Sequence, residues 1–411
     1  MGVRRGLFTW SAGAAYAASA AACCLLAARS QANFVDLHVY RMGGAAVLHG
    51  RDLYQLRFAW LSFTYPPFAA VVFTALAAVP WGVAAAVLTG AGAVALPVAL
   101  YMALRLPRPR REPAALVWPL ALAAAVVAIW LEPVRTALGY GQVDILVALA
   151  VLYDLTRPDT SRHKGAAIGL AAGLKLTPAI FVVYLLITRR YRAAATATAV
   201  FAGTVAVGFA VLPASSVWYW AGRFANPGRV SQIQDPENQS LLGALARTMH
   251  TADVLPVGLP LAAVVAVAGL ALAAAAARRG DEALGFSLCA ITGLLVSPIS
   301  WTHHWVIAIP ALPVAGLAVY RAYRAGNMAA AGLGHAGIMG VAVIGWDRLA
   351  RNLPGANWLD LSTKALMHSV AYVLIGLLVL ALAAGYRLLP ARIRGIADRS
   401  GMEKRWSPSR T

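Results

Sequence analysis

Long apolar runs separated by short basic clusters recur along the whole chain. A run of about 18 apolar residues is enough for a helix to cross a hydrocarbon core of about 30 Å. No strand-like alternation of apolar and polar positions connects the turns, so the runs favour spanning helices over the strands of a barrel. We therefore predict an all-α polytopic membrane protein whose single domain covers residues 1–411.

The basic clusters indicate the topology, because cytoplasmic loops carry an excess of lysine and arginine. Most segments between clusters hold two apolar runs, which predicts pairs of helices joined on the outer face. About twelve helices result, and both termini lie in the cytoplasm together with the basic tail 387–411. The predicted pairs are 113–131 with 142–155, 193–212 with 254–277, 283–299 with 304–320, and 327–346 with 365–387.

Two segments do not fit this pairing. Residues 165–188 are too few for two full spans, and a proline interrupts them close to Lys175. Because proline breaks a helix, we predict two short helices that meet at Lys175–Pro178. Residues 65–104 contain two apolar pieces divided at Pro80–Trp81, which predicts one full span and one re-entrant or interfacial piece.

Composition and charge support the membrane class. Hydrophobic residues make up 60% of the chain and charged residues only 12%, against about 25% charged in soluble domains. The net charge of +19 is dispersed over inter-helix clusters, which indicates loop arginines rather than nucleic-acid binding. The three cysteines show neither metal-site spacing nor a disulfide framework. The first apolar run, Leu7–Ala28, is longer than a signal-peptide core, so we predict a retained first helix.

Polar residues suited to chemistry fall mainly on the predicted outer face. None of the 16 carboxylates lies at the centre of a predicted span, whereas a proton- or ion-coupled transporter usually needs an intramembrane carboxylate. This distribution favours chemistry at the outer interface of the membrane. The outer segments are 30–64, 132–144, 213–252, 297–304 and 347–364.

Asp36 stands directly after the first predicted helix, in the outer loop 30–64. On a helix, Asp36, Tyr40 and Gly43–Gly44 share one face, since positions i, i+4 and i+7 align. The two glycines allow close packing or a close approach of the backbone. A carboxylate placed in this way is suited to accept a proton from a reacting group; the alternative is a helix cap that accepts a backbone N–H. Asp52, in the same loop, is the second candidate.

Lys175 and the pair His303–His304 are the other ionisable groups of interest. Lysine is costly inside an apolar helix pair unless it meets an anion or extends to the interface. A broken helix beside a cation suits a phosphate. Adjacent histidines point about 100° apart on a helix and do not form a chelating i, i+4 pair, so we predict no metal site. The neighbouring Trp301 is also typical of an interfacial aromatic belt.

Tyr65 and Gln142 stand at predicted helix entries. Tyr65 belongs to Phe63–Phe68, where proline favours a helix start and the aromatic side chains are equally suited to line a lipid or sugar groove. Gln142 and Asp144 follow a glycine-rich turn, and capping of the next helix is the alternative to a binding role.

Six motifs in order resemble those of a family of membrane glycosyltransferases. Over nearly its whole length, the chain resembles the polyprenyl-phosphate-mannose-dependent α-mannosyltransferases of glycosyltransferase family 87, which belong to the GT-C class. Members of that family extend phosphatidylinositol mannosides or branch lipomannan at the plasma membrane. The motifs are Asp36–Tyr40 with Leu48–Tyr54, Phe63–Pro67, Gly141–Gln142, Gly173–Pro178, Asn238–Ser240 and Ser297–His304.

The resemblance implies a GT-C fold and inverting transfer of mannose on the extracytoplasmic face. The implied donor is polyprenyl-phosphate-mannose, and the implied acceptor is a glycolipid such as a phosphatidylinositol mannoside, lipomannan or lipoarabinomannan. It also implies that the acidic residue of the first outer loop, here Asp36, is the general base. The departing phosphate needs cationic or hydrogen-bonding support, for which the candidates are Lys175, His303, His304 and Arg41. The candidates for binding sugar or acceptor are Tyr40, Tyr65, Gln142, Asn238, Gln239 and Trp301.

Beyond these substrates and the surrounding membrane lipids, we expect no cofactor, no metal and no nucleic-acid partner. Two other functions remain open from the sequence. One is a GT-C enzyme that transfers another lipid-linked sugar, such as arabinofuranose. The other is a non-enzymatic lipid or solute transporter, which polar groups buried at mid-span would indicate.

Overall fold

The computed structural model describes residues 2–29, 34–106, 114–226, 228, 230, 232–324, 326 and 361–388. These ranges are mostly helical, which confirms the all-α prediction. A two-residue hairpin, β1 (Arg57–Phe58) with β2 (Leu61–Ser62), pairs antiparallel. The helices are α1 (Gly2–Arg29), α2 (Val35–Leu48), α3 (Pro67–Ala77), α4 (Trp81–Arg105), α5 (Ala114–Ala128), α6 (Glu132–Tyr140), α7 (Asp144–Thr156), α8 (Ala166–Leu174), α9 (Ile180–Ile187), α10 (Tyr191–Val211), α11 (Pro213–Trp220), α12 (Leu241–Thr248), α13 (Leu255–Arg278), α14 (Glu282–Val296), α15 (Ala311–Arg324) and α16 (Leu361–Leu388), with 3₁₀ turns at Thr177–Ala179, Arg223–Ala225 and Thr302–Ala308.

Four helices among the described residues are long and apolar enough to span a membrane. They are Thr9–Leu26 within α1, and the whole of α4, α10 and α13. The bent pair formed by α5 and α6, with an angle of 77° between them, passes the same test as a fifth. The prediction of several membrane-spanning helices is confirmed to this extent, by the length and composition of the described helices. The predicted number of about twelve spans stays a prediction, and the predicted span 327–346 lies outside the described residues.

Proline positions the breaks that the sequence predicted. The stretch 65–104 divides into α3 and the full span α4 at Pro80. The stretch 165–188 divides into the short helices α8 and α9, with Lys175 in an extended conformation between them. The predicted outer loop 132–144 is instead largely helical, because α6 begins with a proline in its first turn and continues to Gly141.

The packing of α2 on α3 fixes the position of the segment that begins at residue 34. A Cβ added to Gly44 would lie 2.3 Å from the carbonyl oxygen of Phe73, so the close approach of the two helices requires glycine there. The predicted helical face of Asp36 is therefore a packed one. The alternative that Asp36 caps this helix is wrong, since the N-cap is Phe34 and no side chain caps the helix start.

The charged residues separate the two ends of the helix bundle. The loops before α8 and α10 and the turn between α13 and α14 meet at one end, which we name the basic end and define by residues 157–165, 188–192 and 278–282. Arg192 donates to the Thr160 carbonyl at 2.7 Å, and Arg190 pairs with Glu282 there. The opposite ends of α7, α8 and α14 carry Asp144, Lys175 and Ser297. We name this the cavity end.

Candidate active site

A cavity of about 870 Å³ opens at the cavity end. Its walls are formed by the segment 35–66, the α6–α7 turn, the α8–α9 break and the segment after α14, together with residues between α11 and α12. Most of the ionisable side chains singled out in the sequence meet there. The lining includes Asp36, Tyr65, Tyr140, Gln142, Lys175, Asp235, Glu237, Trp301, His303 and His304.

Asp36 lies in the first turn of α2 and is partly exposed toward the cavity. Burial raises the pKa of its carboxyl to about 7, although a hydrogen bond from Gln142 and the positive charge of Lys175 act in the opposite direction. A carboxyl that titrates near neutral pH combines a useful ionised fraction with a strong tendency to accept a proton. The geometry therefore suits Asp36 to general-base chemistry.

Gln142 connects Asp36 to the histidines. Its Oε1 accepts a hydrogen bond from the Tyr40 hydroxyl, and its Nε2 lies 3.1 Å from Nε2 of His303. The amide nitrogen is a donor only, so His303 Nε2 accepts. Gly141 ends α6 in the left-handed conformation, with φ of 69°, which glycine adopts readily. This turn places Gln142 between the carboxylate and the imidazole.

Lys175 forms a buried ion pair with Asp144. The distance from Nζ to Oδ1 is 2.6 Å, and both side chains are less than a tenth exposed. The alternative that Lys175 extends to the interface is therefore wrong. Its ammonium also lies 5.8 Å from the centre of the Tyr65 ring. Because Lys175 lines the cavity, its remaining N–H groups are available to an anionic ligand.

Sequence reasoning did not single out Asp144 as a site residue and treated it as a possible cap. The sequence signal that could have indicated such a partner was Lys175 itself, since a buried ammonium requires a hydrogen-bond acceptor. Asp144 lies 31 residues before Lys175, so only the packing of α7 on the α8–α9 break identifies the partner. The cavity also exposes groups that the motifs did not include, Trp60, Tyr219, Asp235 and Glu237.

His303 and His304 lie in the 3₁₀ turn at the cavity end with their ring planes at 89°. The divergence predicted for adjacent histidines on an α-helix is not observed, because in this 3₁₀ turn the two ring centroids lie 4.7 Å apart. Burial, together with Lys175 and His303, holds the pKa of His304 well below its usual range. His304 is therefore a neutral hydrogen-bonding group at physiological pH rather than a cation.

Asp144, His303 and His304 form a group whose ligand atoms all lie within 4.8 Å of one another. These residue types could hold a metal ion, and the sequence spacing did not predict the group because the carboxylate comes from a distant helix. The Lys175 ammonium on Asp144 opposes a divalent cation at the same place by charge repulsion. Metal independence stays a prediction.

Several predicted site residues lie outside the cavity lining. Arg41 donates to the Val79 carbonyl at 2.7 Å beyond the end of α3, and Tyr40 is fully buried behind Gln142. Asp52 is exposed and accepts the backbone N–H of Tyr54 at 3.2 Å. Their proposed contacts with substrate stay predictions, and the observed bonds favour supporting roles for Arg41 and Tyr40.

Asn238 and Gln239 are fully buried and hold two loops together. Asn238 donates to the Pro298 carbonyl at 3.1 Å and accepts the Ser300 N–H at 2.9 Å. The Gln239 N–H donates to the Ser300 carbonyl at 2.7 Å. These bonds position the segment that brings Trp301 into the cavity wall. A direct sugar contact by either amide stays a prediction.

Comparison with known proteins identifies the family. The family model for glycosyltransferase family 87 matches residues 63–298. The polyprenol-phosphate-mannose-dependent α-(1-2)-phosphatidylinositol pentamannoside mannosyltransferase of Mycobacterium tuberculosis is 38% identical over 341 residues, which cover 80% of this chain and 73% of the relative. The protein of the same description from Mycolicibacterium smegmatis is 36% identical over 343 residues, with 80% and 77% covered.

A solved structure is also similar in outline. ArnT from Cupriavidus metallidurans bound to undecaprenyl phosphate aligns with 94% of this chain and 73% of its own, at 17% identity and a TM-score of 0.43. The family match covers more than half of the chain and confirms the family that the motifs predicted. The chain therefore belongs to glycosyltransferase family 87.

Proposed function

We propose that this glycosyltransferase transfers a mannosyl residue, with inversion, from polyprenyl-phosphate-mannose to a mannosylated glycolipid such as a phosphatidylinositol mannoside. The names of its relatives support the donor and the acceptor class. The observation that carries the mechanism is the shared cavity, in which the Asp36 carboxyl lies near the Lys175 ammonium and His304. Asp36 is the general base of this proposal.

The reaction assigns a separate task to each side of the cavity. The acceptor hydroxyl oxygen attacks the anomeric carbon while its proton passes to Asp36. The bond between that carbon and the phosphate oxygen breaks, and the lipid phosphate leaves with the electron pair. A hydroxyl is a weak nucleophile, so a positioned base accelerates the step by about 10²–10⁴-fold.

Lys175 supports the departing phosphate. One N–H of its ammonium is bound to Asp144 Oδ1, and the other two can donate to phosphate oxygens. Fixed donors of this kind stabilise charge that develops in the transition state. His303 and His304 add hydrogen-bonding groups beside the ammonium in the same lining.

The proposal includes a GT-C fold with about twelve helices, whose cavity opens on the extracytoplasmic face and whose termini lie in the cytoplasm. The separation of charges supports this orientation. The arginines of 157–165, 188–192 and 278–282 lie at the end opposite the cavity, and basic residues accumulate on the cytoplasmic side. Labelling of single cysteines at Asp52 and Asp235 from outside intact cells tests this orientation.

Asp36→Asn tests the base. The amide keeps the shape and an acceptor oxygen but accepts no proton, so transfer should fall about 10²–10⁴-fold. The measurement is transfer of radiolabelled mannose from polyprenyl-phosphate-mannose to a phosphatidylinositol mannoside by the purified protein. Binding of the donor lipid should be unchanged.

Asp52→Asn is the matched control, because Asp52 lies in the same outer segment and is exposed. It should retain nearly the wild-type rate. If Asp36→Asn kept more than about a tenth of the wild-type rate, the loss of rate would be smaller than the weakest effect expected of a general base. The base would then be another residue. The same assay with polyprenyl-phosphate-arabinofuranose decides between the two sugars.

A further inference from the structure

A second cavity, of about 410 Å³, lies at the basic end. It is formed where the start of α10, the loop before α8 and the end of α13 meet. Four arginines and one carboxylate line it together with Tyr191. The arginines are Arg189, Arg190, Arg192 and Arg278, and the carboxylate is Asp159.

The carboxylates near this cavity already have cationic partners. Asp159 lies 2.7 Å from Lys164 and 3.4 Å from Arg190. The buried Glu282 takes both terminal nitrogens of the Arg190 guanidinium. Asp281 also belongs to the basic end, where it accepts the Leu284 N–H at 3.0 Å, and it does not line the cavity.

Three guanidinium groups are left over. Arg189, Arg192 and Arg278 are exposed, and no carboxylate of the described residues lies within ion-pair distance of any of them. Arg192 donates to the Thr160 carbonyl at 2.7 Å, which holds its side chain over the cavity. The cavity lining therefore carries a net positive charge, and a hydrogen bond fixes the position of one of its arginine side chains.

The N-terminus of α10 adds to the positive electrostatic potential of this cavity. α10 has 21 residues, and its N-cap, Arg190, makes no side-chain capping bond. The N–H groups of a first turn and the helix dipole favour an anion at such an end. Guanidinium groups bind phosphate oxygens with two parallel hydrogen bonds, so the combined chemistry selects a phosphate group.

The position of the cavity identifies the source of that phosphate. α10 and α13 are both candidate spans, and the cavity lies where α10 begins and α13 ends. It therefore lies at a membrane surface, on the side away from the active-site cavity. Tyr191 is 63% exposed at the same level, and an exposed tyrosine is typical of the headgroup region.

We propose that this cavity binds the phosphodiester headgroup of an anionic phospholipid in the leaflet on the far side from the active site. Arg189, Arg192 and Arg278 bind the phosphate, and Arg190 holds the loop by its pair with Glu282. The site is separate from sugar transfer and does not depend on the proposed reaction.

The test is a lipid titration of the purified full-length protein followed by native mass spectrometry. Phosphatidylglycerol and phosphatidylcholine with the same acyl chains are compared. Wild type should retain phosphatidylglycerol preferentially. The variant R189Q/R192Q/R278Q should lose roughly 100-fold in affinity for it, because each arginine near a membrane surface contributes about five-fold.

The matched control is R162Q/R279Q/R324Q, which removes the same charge from exposed arginines outside the cavity lining. Its affinity should fall much less than that of the first variant, since these three arginines do not line the cavity and cannot bind a phosphate held there. An equal loss in both variants would overturn the proposal. Arg192→Gln alone, with an expected loss of about five-fold, keeps the test valid if the triple variant does not fold.

A further arm separates the lipid from free phosphate. Inorganic phosphate in excess is added to the wild-type protein, and thermal unfolding is recorded with and without phosphatidylglycerol. Stabilisation by the lipid and not by inorganic phosphate supports the headgroup site. Stabilisation by inorganic phosphate, with no preference for phosphatidylglycerol over phosphatidylcholine, would overturn the assignment to a lipid.

Discussion

Two buried ion pairs, one at each end of the bundle, differ in how completely their hydrogen bonds are made. At the basic end, both oxygens of Glu282 bind Arg190, and Oε1 also accepts the Tyr184 hydroxyl at 2.9 Å. At the cavity end, Asp144 binds Lys175 through Oδ1 alone, and its buried Oδ2 has no hydrogen-bond partner among the described residues.

On the proposed mechanism, this difference separates a structural pair from a functional one. A buried charge is tolerated when its hydrogen bonds are satisfied, and the Arg190 pair meets that condition without any ligand. The Lys175 pair leaves donor and acceptor capacity unused in a region that also holds Asp36 and two histidines. An incomplete buried network is costly unless a ligand completes it. The comparison predicts that the two pairs respond differently to mutation.

The largest effect should come from breaking the complete pair. Arg190→Met leaves Glu282 buried without its cation, and removal of one partner of a buried pair costs about 3–5 kcal/mol of stability. Thermal unfolding of the purified protein in detergent should show a large fall in the midpoint. Arg279→Met, at an exposed arginine of the same end, should change stability by less than about 0.5 kcal/mol. Equal midpoints for the two variants would show that the Arg190 pair is dispensable.

Breaking the incomplete pair should affect catalysis. Lys175→Met removes the proposed donors to the departing phosphate, and loss of one such group costs about 10²–10³ in kcat. Single-turnover transfer of radiolabelled mannose measures it.

Lys164→Met is the control for this variant, because Lys164 is also a buried lysine paired with a carboxylate, but at the basic end. It should lower stability and leave kcat close to the wild-type value. A kcat for Lys175→Met above about a tenth of wild type would remove Lys175 from the phosphate site.

The pH dependence of transfer should reflect the Asp36 carboxyl. Its pKa of about 7 lies above the ordinary aspartate value because burial disfavours the ionised form. The ionised form is the active base, so kcat/KM should rise with pH up to about 7. Below that value it should fall about tenfold for each pH unit. A profile that stays flat down to about pH 5 would show that Asp36 is ionised throughout or is not the base.

The sequence predicted those features that local chemistry encodes. Proline disfavours the interior of a helix, and the divisions of 65–104 at Pro80 and of 165–188 near Pro178 were predicted correctly. Asp36 was singled out because it shares a helical face with Tyr40 and the double glycine and because the resemblance implies an acidic base in that segment, and its role stays a prediction. The resemblance of ordered motifs gave the family, and the match to residues 63–298 confirms it.

Features that depend on tertiary packing were not predicted. The pairing of Asp144 with Lys175 joins two helices, and no sequence period marks it. Asn238 carries a polar amide in a predicted outer segment, and the sequence alone is equally consistent with a sugar ligand and with a brace between loops. Its hydrogen bonds to backbone groups of another segment, which show that it braces two loops, are visible only when the fold is known, and a sugar contact stays a prediction. The sequence predicted that the arginines of the basic end lie in loops. It did not predict that four of them line one cavity, because that depends on how the helices pack.

The smallest effect should come from removing metal ions. Asp144, His303 and His304 bring their ligand atoms within 4.8 Å of one another, so the geometry itself permits a cation. The Lys175 ammonium at 2.6 Å from Asp144 Oδ1 already supplies a positive charge there, and a second cation in the same group would be repelled. Treatment with EDTA should therefore leave transfer within about two-fold of the untreated rate, because lysine rather than a metal supports the leaving phosphate. Restoration of a lost activity by Mn²⁺ or Mg²⁺ would show instead that Asp144 and the histidines bind a metal during transfer, and that Lys175 leaves Asp144 when it does.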